Sequence, residues 1–351
     1  MKNKLLKLEG VRGFAALYVF ANHLLTGRIL VKGTWFYSIF DLGFEVVMLF
    51  FLLSGFVIFY SQSQHRDQTF SGYFRRRFKR IYPIFIFALA ATYAANCLSA
   101  HALLKLDVGN LFGNLCMWQD TYGMKPGVHI DAFGGNISLW SLSYEWWFYL
   151  LFWPIYRYVQ PGAQLPLVAG LSAVGGLLYL AWPNQASLFL LYFIIWWCGV
   201  ELARTYLTGA MPGLRNQLPV VIILGAFCLA LAVTRNFNSA AAILFAHPVL
   251  RQFCSSWLFL VAALVWAGWK FKGFGFIPRC FSWAAPISYA LYALHYPLAV
   301  SATYLSFIPG TGLQIAGYIL IVLALSYFAE FVLQRWVNQS FWTGARPSSA
   351  A

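Results

Sequence analysis

Charged side chains are scarce in this sequence. Asp, Glu, Lys and Arg together make up 10% of the 351 residues, against roughly a quarter in ordinary soluble domains. A water-exposed globular domain of this length would need more charge to cover its surface. The shortage therefore excludes an ordinary soluble fold, and the 61% share of hydrophobic residues indicates that lipid is the natural solvent of the chain.

Acidic residues are scarcer still, because 10 of them stand against 24 Lys and Arg residues, for a net charge of +14. Such an excess would suit nucleic acid, but its distribution argues against that partner. Most of the basic residues fall in turns that a ten-span topology places on one side together with the N-terminus, which is the positive-inside pattern. We therefore expect cytoplasmic termini, contact with anionic membrane lipids and no nucleic-acid partner.

The sequence also lacks metal-ligand spacings, fixed-period repeats and low-complexity tracts. Its six cysteines are scattered, so no metal site is predicted, and a disulfide between Cys97 and Cys116 is left open. Short polar turns separate most of the apolar runs. These features indicate one domain over residues 1–342, followed by a tail at 343–351 that we expect to be disordered.

Long apolar runs are what the sequence does contain. About ten of them reach the roughly 17–25 residues of a membrane-spanning helix. The predicted fold class is therefore all-α, a polytopic membrane helix bundle with about ten transmembrane helices. The predicted spans are 13–30, 39–60, 81–100, 138–156, 165–182, 187–204, 218–234, 252–269, 283–303 and 313–334.

Two polar residues share the first predicted span. Arg12 and His23 are eleven residues apart, which is three helical turns plus about 20°, so they lie on one face. A snorkelling anchor would account for Arg12, and a hydrogen bond within the bundle would account for His23. The functional alternative makes His23 a catalytic base inside the membrane.

A lone carboxylate lies in the aromatic stretch SLWSLSYEWWFYL, residues 138–150. Glu145 is costly there unless it is paired, neutralised or used. Counting residues from the helix ends places it at a depth comparable with that of His23. We therefore predict a His23–Glu145 pair in which the carboxylate orients the imidazole. Ser141, one helical turn earlier, shares the face of Glu145.

A basic cluster, RRRFKR at residues 75–80, lies before the third predicted span. Arg77 and Arg80 are three residues apart, so on a helix they form a fork that suits phosphate oxygens. A lipid-headgroup anchor is the plain alternative. In the stretch FFLLSGF, residues 50–56, Ser54 and Gly55 permit close backbone approach, for tight helix packing or for the passage of a thin ligand.

These pieces together resemble acyltransferase family 3, the polytopic membrane enzymes that O-acylate envelope glycans and some small molecules. The sequence departs from the family pattern at two places. Met48 occupies a position that is often acidic in the family. Near the end of the domain, family members often have a glutamate followed closely by proline, whereas Glu330 is followed here by Phe331 and Val332. Glu45, about one turn before Met48, is the candidate substitute. The matching segments, in family order, are Arg12-x10-His23, Phe50–Phe56, Arg77-x-x-Arg80 with Ile81 and Pro83, Trp140-Ser141-Leu142-x-x-Glu145, and Ser288-Tyr289-x-x-Tyr292-x-x-His295.

The resemblance implies an enzyme that uses cytosolic acyl-CoA, most often acetyl-CoA, as a co-substrate and keeps no bound cofactor. The acceptor would be a hydroxyl of an envelope glycan or a lipid-linked sugar, and the location a cell membrane, such as a bacterial inner membrane. His23 would act as general base oriented by Glu145, with an acetyl-His23 intermediate as the alternative. Arg12, Arg77 and Arg80 would bind the donor. The expected lining residues are Ser54, Trp140, Ser141, Glu45, Tyr292 and His295.

A transporter or flippase for an envelope lipid or a small polar solute is the competing interpretation, because it too needs polar residues at mid-membrane depth. The position of the charges favours the enzyme. The arginines are expected at one membrane face, whereas the histidine and the carboxylate are expected deeper in the membrane. This arrangement suits a donor that carries phosphate groups at one end.

Overall fold

The computed structural model describes residues 2–234, 240–273 and 275–340, with the side chains of 2–6, 240–247 and 278 left out. The predicted disordered tail at 343–351 lies outside the described residues. Helices dominate the described chain, which confirms the all-α prediction. They are α1 Lys2–Arg28, α2 Trp35–Phe40, α3 Gly43–Gln64, α4 Phe70–Ala100, α5 Val108–Leu115, α6 Trp140–Tyr158, α7 Pro161–Ala181, α8 Gln185–Leu207, α9 Leu218–Thr234, α10 Ala240–Gly268, α11 Phe276–Phe281, α12 Ser288–His295, α13 Thr311–Phe328 and α14 Gln334–Ser340.

The helices fall where the apolar runs predict them, but the predicted count of about ten membrane spans is not confirmed. Within the described residues, six helical segments are long and apolar enough to cross a membrane, and α9 is apolar but shorter. The predicted span 283–303 is not one regular helix, because a 3₁₀ turn, α12 and a π-helical turn divide it. The six segments are Trp35–Gln64, Phe70–Ala100, Pro161–Ala181, Gln185–Leu207, Pro248–Gly268 and Thr311–Ser340.

A close backbone contact joins α3 to α8 and depends on two glycines. A Cβ atom on Gly55 would lie 2.0 Å from the carbonyl oxygen of Trp196, and one on Gly199 would lie 2.0 Å from that of Leu52. Only glycine permits backbones to approach so closely. The prediction of close packing at the Ser54–Gly55 pair is therefore confirmed, and this contact holds Ser54 against α8.

Two π-helical turns interrupt the C-terminal helices. One covers Tyr296–Val300, directly after His295, and the other covers Ala329–Leu333 and includes Glu330. Such turns are rare and often occur at functional sites, because the extra residue re-aims the side chains beside it. His295 and Glu330 therefore both lie where the regular helix is interrupted.

The long connection between α4 and α6 is ordered around a buried ion pair. The Lys125 ammonium donates to both carboxylate oxygens of Asp120 at 3.1 Å and to the Tyr144 hydroxyl at 3.2 Å. It also lies 4.2 Å from the ring centre of Trp140. Burial lowers the pKa of Lys125, whereas the Asp120 carboxylate opposes that shift. The pair fixes this connection against α6 at the end where Trp140 begins the helix.

Candidate active site

A cavity of about 280 Å³ opens between α1, α3, α4, α6 and α12. We call it the arginine cavity, because Arg12, Arg77 and Arg80 all line it, together with Glu145. The three arginines that the sequence singles out as donor-binding residues are therefore brought to one cavity. Of the expected lining residues, Ser54, Ser141 and Tyr292 also face this cavity.

Two of the three guanidinium groups keep unused hydrogen-bond donors. Arg12 donates through Nη2 to the carbonyl oxygen of Ala285 at 3.1 Å, while its buried Nε has no partner. The Nε of Arg77 is likewise buried without a partner, and its guanidinium lies 5.7 Å from the ring centre of Tyr73. Buried donors without partners are costly, and an anionic ligand in the cavity would satisfy them.

The third guanidinium is held by a carboxylate. Arg80 binds Glu330 through two parallel hydrogen bonds of 2.6 and 3.1 Å, the bidentate geometry typical of Arg–carboxylate pairs. Glu330 comes from the second π-helical turn. Apart from an isolated acidic residue, no sequence signal indicates this partnership. Three arginines against the carboxylates of Glu145 and Glu330 leave a local excess of positive charge.

Glu145 finds its partners on α3 and on its own helix. One carboxylate oxygen accepts from the Ser54 hydroxyl at 2.6 Å and from the Tyr149 hydroxyl one turn further along α6. The Trp196 indole donates to Ser54 at 3.1 Å and completes the network. The prediction of a direct His23–Glu145 contact is wrong, because no hydrogen bond joins these two side chains in the described structure.

His23 pairs instead with the second histidine of the predicted set. Its Nδ1 lies 2.8 Å from Nε2 of His295, whose Nδ1 lies 3.0 Å from the carbonyl oxygen of Leu291. A carbonyl oxygen only accepts, so His295 must donate through Nδ1 and, when neutral, accept at Nε2. His23 then donates through Nδ1. This chain of hydrogen bonds leaves Nε2 of His23 as the nitrogen with the free lone pair.

His23 lines a second and much smaller pocket, of about 10 Å³, which is room for about one water molecule. Trp140 and Tyr292 form part of its wall. Tyr292 lines both cavities, and its hydroxyl lies 2.7 Å from the Ser141 hydroxyl. Tyr292 therefore borders both the His23 pocket and the arginine cavity.

The remaining predicted site residue, Glu45, lies elsewhere. Its carboxylate pairs with Arg251 at 2.6 Å near the start of α3, and Glu45 lines neither of the two cavities. The structure therefore does not bring Glu45 to the arginine cavity or to the His23 pocket. The pair explains why an acidic residue is tolerated there, since its charge is compensated by a basic residue of α10.

Comparison with known proteins gives consistent results. A sequence model of the family described as "Acyltransferase domain" matches residues 5–331. The chain is 34% identical over 222 residues to Acyltransferase MdmB of Streptomyces mycarofaciens, covering 62% of the chain and 48% of that protein. It is 29% identical over 191 residues to a protein of Acidianus two-tailed virus provisionally named acetyltransferase ORF330, covering 54% of the chain and 52% of that protein. The aligned part thus spans about half the length of these curated relatives. No solved structure gave a significant match.

Proposed function

Since the chain belongs to acyltransferase family 3, we propose that it transfers an acyl group, most often acetyl, from acyl-CoA to a hydroxyl group. The observation that carries this proposal is the hydrogen-bonded chain from Leu291 through His295 to His23, one side chain away from a cavity lined by three arginines.

The arginine cavity suits the donor. The charge excess of Arg12, Arg77 and Arg80 would hold the phosphates of CoA, with Arg77 and Arg12 offering their unused donors. The cavity continues past Glu145 and Ser141 towards Tyr292. Carboxylate and hydroxyl groups on this route would accept from the two amide N–H groups of the pantetheine arm. Glu145 therefore lines the path of the donor in this proposal, rather than orienting His23.

His23 is the general base of the proposed reaction. Its Nε2 removes the proton of the acceptor hydroxyl, whose oxygen attacks the thioester carbonyl, and the C–S bond breaks to release CoA as the thiolate. The imidazolium then returns the proton to that sulfur. His295 positions His23 by accepting from Nδ1, the task that a carboxylate performs in hydrolase triads. Transfer through an acetyl-His23 intermediate is the alternative order of the same bond changes.

The apolar helices support a membrane location for the proposed reaction. The enzyme would cross a cell membrane several times, with both termini and the arginine cavity on the cytoplasmic side. The acceptor would approach the small pocket from the other face, where Ile137 and Trp140 lie. We favour a sugar hydroxyl of an envelope glycan or of a lipid-linked precursor as acceptor.

Release of free thiol from acetyl-CoA by the purified protein tests the donor and the base together. We expect His23→Ala to lower the rate by about 10²- to 10⁴-fold, the usual contribution of a general base. His101→Asn is the matched control, since His101 is exposed and its left-handed backbone conformation suits asparagine. A His23→Ala rate equal to that of the control would refute the assignment. Mass spectrometry of envelope glycans, with and without expression, would then identify the acceptor by its added acetyl mass.

A further inference from the structure

A second large cavity lies on the other side of α3. It measures about 260 Å³ and is bounded by α1, α3, α8, α10 and the turns that follow α8 and α10. We call it the apolar groove. Lys7 and Tyr206 contribute its polar side chains, and the rest of the lining is hydrophobic. The lining of the groove is too apolar to bind CoA or a sugar, so the groove is distinct from both pockets of the candidate active site.

The groove has the volume of a hydrocarbon chain segment. A dry protein cavity of about 150 Å³ accommodates benzene, which corresponds to roughly 25 Å³ per carbon atom. On that scale the groove would hold about ten carbon atoms. Ala263 lines it and is itself exposed, so the groove opens at the surface of the bundle rather than being sealed inside.

The residues around one end of the groove are typical of a membrane interface. Lys7 lines the groove with its ammonium 5.5 Å from the ring centre of Phe271, another lining residue. Lys270 and Lys272 flank Phe271 and are exposed, and Trp269 precedes them with 67% of its surface exposed. Tryptophan beside lysines is typical of the headgroup level, where lysines attract anionic lipids.

We propose that the apolar groove binds one acyl chain of an anionic phospholipid, whose headgroup is held by Lys7, Lys270 and Lys272. The chain would enter from the headgroup level and lie along α3 and α10, the arrangement that a lipid already has in the surrounding bilayer. This inference does not depend on the proposed acyl transfer, because it concerns another cavity and needs no turnover.

The bound lipid would also support the candidate active site. Leu53 lines the groove on one side of α3 and the arginine cavity on the other, and Ser54, the partner of Glu145, is the next residue. An occupied groove would fill the space behind this part of α3. Removal of the lipid should therefore loosen the Ser54–Glu145 contact more than the distant contacts of the bundle.

Native mass spectrometry of the delipidated protein, titrated with phosphatidylglycerol or phosphatidylcholine of equal chain length, tests the proposal. We expect the wild type to hold one phosphatidylglycerol more tightly than any phosphatidylcholine. Ala263→Trp, which fills the groove, should remove this molecule, and Ala263→Phe should weaken it. Leu229→Trp is the matched control, because Leu229 is exposed on α9 outside the groove.

The role of charge is tested separately. Lys7→Gln should weaken phosphatidylglycerol about five-fold, which corresponds to about 1 kcal/mol for one lysine near the headgroups, and leave phosphatidylcholine unchanged. Lys32→Gln, at an exposed lysine beyond the other end of α1, should change neither. Equal retention of phosphatidylglycerol by Ala263→Trp and the wild type would overturn the proposal. So would equal affinity for the two lipids, or stronger binding of an isoprenoid phosphate than of phosphatidylglycerol.

Discussion

Replacing His295 by leucine tests the central geometry of the site most directly. Leucine has a similar volume but offers no acceptor to the Nδ1–H of His23, which lies 2.8 Å from Nε2 of His295 in the native protein. A buried donor without a partner costs about 1–3 kcal/mol, or roughly 5- to 150-fold in rate if the loss is felt in the transition state. The proton of His23 is also free to move to Nε2, which would remove the base.

The expected result is a fall of about 10²-fold or more in kcat for thiol release from acetyl-CoA, with KM for the donor nearly unchanged. The arginine cavity does not include His295, so donor binding has no reason to suffer. His295→Gln offers an amide oxygen that accepts from Nδ1, and it should restore at least ten-fold of the loss. Thermal unfolding of both variants separates positioning from stability. If His295→Leu keeps kcat within two-fold of the wild type, the positioning role is refuted.

The arginine cavity, Tyr292 and the buried ion pair each give one further prediction. Arg77→Gln should raise KM for acetyl-CoA by roughly 10- to 150-fold, the value of a charge-assisted hydrogen bond, with little change in kcat. Arg66→Gln, at an exposed arginine, is the control. Equal KM values for the two variants would contradict donor binding by Arg77. Tyr292→Ala should join the two cavities and increase thiol release without acceptor, so an unchanged background rate would exclude a role of Tyr292 as a partition. Lys125→Met should destabilise the fold by about 3–5 kcal/mol because it leaves the Asp120 carboxylate buried and unpaired; a thermal unfolding midpoint equal to that of the wild type would contradict this.

The helix periodicity predicted which residues share a face, and it did so well for the arginines. Arg77 and Arg80 lie on one helix, and Arg12 enters at the same end of the bundle, so rise per residue was enough to bring them to one cavity. Ser288 and Tyr292, one turn apart on α12, both line that cavity. Local spacing carries this information because it fixes both depth and direction on a single helix.

The pairing of His23 was not predictable in the same way. Depth along the membrane normal places His23 and Glu145 at similar levels, but it says nothing of how each helix is rotated about its axis. Glu145 is turned towards Ser54 and towards Tyr149, its neighbour at i+4. His295, 272 residues away from His23 along the chain, meets it only through the packing of α1 against α12.

The acidic residues show the same limit. Glu330 and Glu45 find their arginines on distant helices, Arg80 on α4 and Arg251 on α10. No local pattern in the sequence links the members of either pair. The membrane makes such pairing necessary, since an isolated charge inside the bundle is costly, but it does not determine which partner is chosen.

The position of Tyr292 at the border of both cavities has a consequence for the membrane as a permeability barrier. In the proposed reaction, a co-substrate as large as CoA on one side and a sugar on the other would ordinarily require a wide opening, through which ions and protons would leak. In the proposed reaction the Tyr292 ring, whose hydroxyl lies 2.7 Å from that of Ser141, would turn aside to admit a two-carbon acetyl group while every helix stays in place. A cell with such an enzyme would transfer acetyl groups outward across its membrane and still keep its electrochemical gradient.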